Sequence, residues 1–238
     1  MRAVPSSPIV PRYGQVNLSL AQRWAELDDE TDGPFLAINL MRYRARAEYL
    51  DGRETDLTGR EADDAYTPLG PLATVGASFL LAADVEQQPA GEPDFHRVAI
   101  VRYPTRRSFL HMQDLDEFRE LHVHKDAGME FTIIAAAEPP EQVASGDPRG
   151  QLVLRLRRLA PGAEPLDPDG VSEVARLELE DVLVGDERRF AEARIDRVLP
   201  AAIPALAAAD GVEEQVVTVL ATPMLDALAL GVRESAGA

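Results

Sequence analysis

All four histidines of the chain, His96, His111, His122 and His124, fall between Phe95 and Glu138, and residues 139–238 contain none. Imidazole titrates near neutral pH, so a cluster of this kind points to acid–base chemistry or ligand binding. His122 and His124 stand two residues apart. On a strand that spacing would let them share a metal, whereas on a helix it turns them about 200° apart. Asp114 with Glu117 reads as a capping box opening a helix that Ala127-Gly128 ends. Both histidines therefore sit in a last helical turn, and no metal is expected. There they and Lys125 can act as cations at the helix C-terminus, or one histidine can serve as a base. Asn39 is the other pointed residue, an amide in mid-strand between Ile38 and Leu40 that needs partners if buried. His96 and Arg102 share one face of strand 95–103, with Arg97 and Tyr103 on the other. Arg102, among apolar neighbours, must pair with a carboxylate or bind an anionic ligand. His111, after Phe109 and Leu110, lies at a core edge. The candidate catalytic residues are His122, His124, Asn39 and Tyr103, with Tyr43, Met41, Arg102 and His111 as substrate-binding candidates.

The elements that must position these residues follow from periodicity and turn signals. Residues 1–34 read as an irregular arm and a helix over Ser19–Leu27, anchored by Trp24. Phe35–Tyr43 reads as a strand, with Leu36, Ile38, Leu40 and Arg42 on one face and Phe35, Ala37, Asn39, Met41 and Tyr43 on the other. Residues 44–60 form a charged excursion, either a salt-bridged loop or a lid. A broken helix from Glu61 restarts at Thr67-Pro68. Strands at Gly76–Val85 and 95–103, a short helix capped by Thr105, the histidine-bearing helix and a strand at Glu130–Ala137 follow. This β-α-β-β-α-β order is the ferredoxin-like unit. Residues 139–149 read as a linker, and 150–238 as a second half with a similar set of elements: strands at Leu152–Arg157, Val174–Leu183 and 213–221, a short tail helix around Leu225, and a long helix from Asp186 carrying Ile195, Val198, Leu199, Ala202, Ile203 and Leu206 as one stripe. The expected fold is α+β, two ferredoxin-like halves (35–138 and 150–238) whose sheets close a barrel within one chain. The barrel interior, or the cleft between sheet and helices, is the expected pocket.

Composition narrows the partners. The 238 residues carry 41 acidic and 24 basic side chains, net charge −17, which repels nucleic acid and anionic lipid. The absence of cysteine excludes disulfides, thiolate nucleophiles and cysteine-ligated metals. The N-terminal segment has no apolar stretch of secretory type, and no run approaches the ~18 residues of a membrane span, so a cytoplasmic protein is expected. Lys125 is the only lysine. No phosphate-cradling glycine loop, GxSxG elbow or HExxH helix occurs.

The segments AINLMRYR at 37–44 and VRYPTRRSFLHM with EFRELHVHKDAGME within 101–130 resemble the dimeric α/β-barrel superfamily, DUF1330-type proteins above all. The superfamily also holds antibiotic-biosynthesis and heme-degrading monooxygenases, polyketide cyclases and chlorite dismutase-like proteins. The resemblance covers about 35–138. It implies a small-molecule enzyme without a tightly bound cofactor, an oxygenase, cyclase or isomerase acting on a hydrophobic organic compound. His122 or His124 would be the base, with Asn39, Tyr43 and Tyr103 orienting the substrate. Phe118-Arg-Glu-Leu-His122 is similar to the helix of heme-degrading members whose histidine ligates iron, and Asn39 matches their first-strand asparagine. Their third-strand tryptophan is Tyr103 here. Heme on His122 is therefore the alternative cofactor, and a chlorite dismutase-like ligand is missing because the second half has no histidine. A non-catalytic binding protein and a homodimer stay open.

Overall fold

The structure, a computed structural model, describes residues 9–158, 168–210 and 215–228. Its frame is an eight-stranded antiparallel barrel built by one chain. The strands are β2 (Phe35–Tyr43), β3 (Ser78–Ala90), β4 (Arg97–Tyr103), β5 (Met129–Ala137), β6 (Gln151–Arg158), β7 (Val171–Gly185), β8 (Glu192–Val198) and β9 (Gln215–Asp226). A two-residue strand, β1 (Gln15–Val16), is added beside the end of β7. The first four barrel strands run β5-β2-β4-β3 and the last four β9-β6-β8-β7. The same spatial order thus appears twice.

Two long strands join the halves. β7 pairs with β8 over Val171–Glu178 and with β5 over Leu179–Val184. β3 pairs with β4 over Ser78–Asp84 and with β9 over Leu81–Ala90. Closure leaves no open sheet edge in the barrel. The alternation of β2 explains why it is apolar on both faces. Leu36, Ile38 and Leu40 point into the barrel with Leu152, Leu154, Leu156, Ile195 and Val219. Phe35, Ala37, Met41 and Tyr43 point outward into a second layer.

The helices of the first half cover that outer face: α1 (Leu18–Glu26), α2 (Gly59–Tyr66), α3 (Leu69–Thr74), α4 (Arg106–Met112) and α5 (Asp116–Gly128). Trp24 of α1 is fully buried on Phe35 and Phe109, and its indole N–H donates to Glu180 at 2.7 Å. The expected capping box at the start of α5 is not formed. Leu115 is the N-cap, without a side-chain bond, and Asp116 and Glu117 occupy the first turn. There their charges still favour the helix dipole.

The long helix expected after Asp186 is not present either. Glu192–Val198 is strand β8, Pro200–Ala202 is a 3₁₀ turn, and only Ile203–Asp210 is α-helical (α6). The apolar stripe was real but spans two elements. Ala193 and Ile195 face the barrel, while Val198, Ala202 and Leu206 pack together outside it. The strand's period is hidden because its outward residues Arg194 and Asp196 are themselves buried, joined at 2.8 Å. The chain near Leu225 belongs to β9, and the rest of the expected tail helix, from residue 229 on, lies outside the described residues. Among the described residues, no helix is long and apolar enough to cross a membrane.

One crossing governs the outer layer. α2 and α5 meet at Gly59, Ala62, Ala127 and Gly128, where a Cβ on Gly59 would fall on the Gly128 carbonyl oxygen. A Cβ on Gly128 would meet the Gly59 carbonyl and, at 3.0 Å, Ala62. Gly59→Ala and Gly128→Ala are each expected to cost about 3 kcal/mol, lowering Tm by roughly 6–12 °C. Gly33→Ala, whose Cβ meets nothing within 4 Å, is the control and should change stability little. Thermal unfolding followed by circular dichroism reads all three, and equal melting temperatures would refute the account of the crossing.

Candidate functional site

Among the described residues, the middle of the barrel interior is packed with apolar side chains of both halves. The polar groups brought together lie instead in the other expected place, the sheet–helix cleft. There the α2–α5 crossing brings a group of polar side chains into an otherwise apolar layer. α2 begins at a capping box in which Thr58 and Glu61 bond each other's backbone N–H. One turn on, Asp63 is buried against the sheet, and Tyr66 ends the helix. From α5 come His122 and Lys125, one turn apart and both buried. Tyr43 arrives from β2. Tyr13 arrives from the N-terminal segment, fixed there by Arg12, whose backbone N–H and Nε bond Asp126 at 2.9 and 2.6 Å.

The contacts are specific. The Tyr43 hydroxyl donates to Asp63 Oδ2 at 2.7 Å, and Arg97 Nη1 stands 3.7 Å from the same oxygen. The Tyr13 hydroxyl lies 2.8 Å from His122 Nε2. Lys125 Nζ lies between two aromatic faces, 5.5 Å from the Tyr13 ring centre and 5.1 Å from that of Tyr66. Phe118 packs on His122 with ring centres 5.6 Å apart.

Burial sets the protonation of this group. Loss of water, with the Lys125 charge adding to it, pulls His122 down to about 4, so the imidazole is neutral at physiological pH. Burial pushes the Tyr13, Tyr43 and Tyr66 phenols up, keeping them protonated. The direction of the bond between the Tyr13 hydroxyl and Nε2 then follows the tautomer of the neutral ring. Burial raises Asp63 against the opposing pull of Lys125 and Tyr43. It lowers Lys125 against the pull of Asp63. Desolvation thus drives base, amine and carboxyl alike toward uncharged forms.

Of the residues singled out from sequence, His122 and Tyr43 lie in this cluster, and Met41 and Asn39 share the sheet face beneath it. Asn39 spends its amide on the sheet, donating to the Ala37 and Ala99 carbonyls at 3.1 and 3.5 Å. Tyr103 stacks on Phe35 at 5.3 Å and borders the cluster through Tyr66. His124 faces away, its Nδ1 2.7 Å from the Tyr49 hydroxyl. Tyr49 belongs to the 44–60 excursion, which is held by Glu48 N–H to Ala127 O at 3.0 Å and Arg44 N–H to Gly128 O at 2.9 Å. His111 is exposed on α4, and Arg102 projects from the opposite face of β4 to Tyr103. Tyr13, Asp63, Tyr66 and Lys125 were not singled out as a site. The available signal was the solitary lysine beside Ala127-Gly128, where small residues let a second helix close over it.

The depressed His122 fixes a pH dependence. The unfolded histidine binds a proton below 6.5 and the folded one only below about 4. Stability should therefore fall as pH drops through that window, by up to about 3 kcal/mol. Denaturant unfolding of wild type and His122→Gln at several pH values isolates the contribution from that of the carboxylates. Parallel curves would refute it.

No family profile and no curated protein sequence matches the chain. Among solved structures, RPA0582 of Rhodopseudomonas palustris, a protein of unknown function, is 25% identical, covering 55% of this chain and 98% of its own, with a TM-score of 0.47. FN1347 of Fusobacterium nucleatum, named only provisionally as a monooxygenase, is 10% identical over 82% of this chain and 94% of its own, TM-score 0.43. A mutant chlorite dismutase of Candidatus Nitrospira defluvii is 8% identical over 85% and 94%, TM-score 0.44. Likenesses at this level carry no functional argument.

Proposed function

We propose that the chain is a small-molecule enzyme, built from two ferredoxin-like halves, that performs proton transfer on an uncharged organic substrate without a tightly bound cofactor. The repeated four-strand order supports the duplicated architecture. One observation carries the chemistry. His122, Lys125 and Asp63 are buried together and all driven toward their uncharged forms. Groups pushed in these directions favour proton abstraction next to a carbonyl, as in isomerisation or cyclisation. Such perturbed groups weaken a fold, and their concentration at one place marks function.

Heme on His122 is the second reading. It would require Tyr13 to release Nε2 and the Tyr66–Phe118 packing around the ring to open. The donor set does not fit the group as it stands.

The test uses purified protein in D₂O with a panel of enolisable aldehydes and ketones, read by NMR for deuterium at the α-carbon. Exchange above background, reduced at least about tenfold in Lys125→Met and Asp63→Asn, is expected. No exchange, with unaltered binding of the same compounds, would favour a non-catalytic binding protein. A Soret band with added hemin that is lost in His122→Ala would replace the proposal with the heme reading.

A further inference from the structure

Buried cations elsewhere in the molecule are matched by carboxylates: Arg155 with Asp196 at 2.9 Å, Arg157 with Glu192 at 2.6 Å, Arg106 with Glu180 at 2.8 Å. Lys125 is the exception. It is 6% exposed, yet among the described residues its Nζ has no hydrogen bond or ion pair, only the faces of Tyr13 and Tyr66. A permanent ammonium in that place would lack the ionic partner that buried charge demands. An amine with a free lone pair is suited to it.

We propose that the Lys125 amine is a nucleophile that forms an imine with a small uncharged aldehyde or ketone seated between the Tyr13 and Tyr66 rings. This rests on the reading of the sheet–helix cleft as a catalytic site, and it names the substrate class and the covalent step. The nitrogen lone pair forms a bond to the carbonyl carbon, and the carbonyl oxygen takes a proton. The nitrogen gives up one of its two protons as the carbinolamine forms. The hydroxyl then leaves as water with a second proton while the nitrogen sheds its other proton and closes the C=N bond, so amine and carbonyl yield imine and water. Asp63, whose hold on a proton burial strengthens and which Tyr43 keeps in place, is the proton donor to that oxygen. The imine nitrogen, once protonated, draws electrons from the neighbouring carbon and eases removal of its proton. Beside the seat of the carbonyl compound, Phe118 packs on Tyr66 and His122, with ring centres 6.0 and 5.6 Å apart. The groups that set the pH response are Asp63 and Tyr66 from α2, His122 and Asp126 from α5, Arg12 and Tyr13 from the N-terminal segment, Tyr43 from β2 and Arg97 from β4.

Because Lys125 is the only lysine, covalent trapping is unambiguous, the α-amino group being the sole other amine. Full-length protein at about neutral pH is treated with butanal or acetone and sodium cyanoborohydride, then digested and mapped by mass spectrometry. The lysine introduced by Arg46→Lys, at a position whose side chain is 69% exposed, serves as reference within the same molecule. Native Lys125 should be alkylated at least about tenfold faster than the reference. Asp63→Asn should slow it several-fold. Labelling of Lys125 only after denaturation, or no faster than the reference, would overturn the proposal. Deuterium exchange without any adduct would remove the imine and leave the acid–base reading in place.

Discussion

The outer layer of the molecule depends on the contact between Gly59 and Gly128. Two backbones meet there with no side chain between them, and that closeness sets α2 directly against α5. Bonds from Gly59 N–H to Arg44 O and from Arg44 N–H to Gly128 O lace the end of β2 to both helices. Everything polar in the cleft follows. Asp63 lies one turn from Gly59 and Lys125 less than one turn from Gly128, so the crossing brings carboxyl and amine together beneath it. A larger residue at either glycine would move the two helices apart and let water into the cluster. The protonation states that define the site would then relax toward ordinary values.

The barrel supplies rigidity rather than chemistry. Its interior is filled by aliphatic side chains from both halves, and its closure is made by two strands each shared between neighbours. The first half bears five helices on its outer face. The second half, among the described residues, bears only α6 and the adjoining turn, with a buried network of Arg155, Arg157, Arg194 and Asp196 on the same side. The two halves share a strand order and differ in what covers it. Among the described residues, the first half holds in its covered layer a buried basic group without an ion pair, Lys125, and that is where a function that costs stability would be kept.

Much of the frame was legible in the residues themselves. The two-faced burial of β2, the Thr105 cap of α4 and the break at Thr67-Pro68 all followed from local physics. β8 did not, because buried Arg194 and Asp196 sit where a solvent-facing strand would carry exposed polar residues. The site was legible in part. His122 was named, but as a C-terminal helix cation or free base, whereas burial makes it neutral and ties it to Tyr13. Lys125 was assigned to the helix dipole. Its partners Tyr13 and Asp63 are remote in sequence, and nothing local to α5 announces that another helix covers it.

The account turns on the ionisation of one amine. A protein labelled with ¹⁵N at its single lysine gives one side-chain resonance, whose shift reports Nζ protonation directly. Titration should show a midpoint clearly below the ordinary lysine value of 10.5. A midpoint at or above that ordinary value would mean that Lys125 is a stably charged structural cation, and the site as described here would not exist.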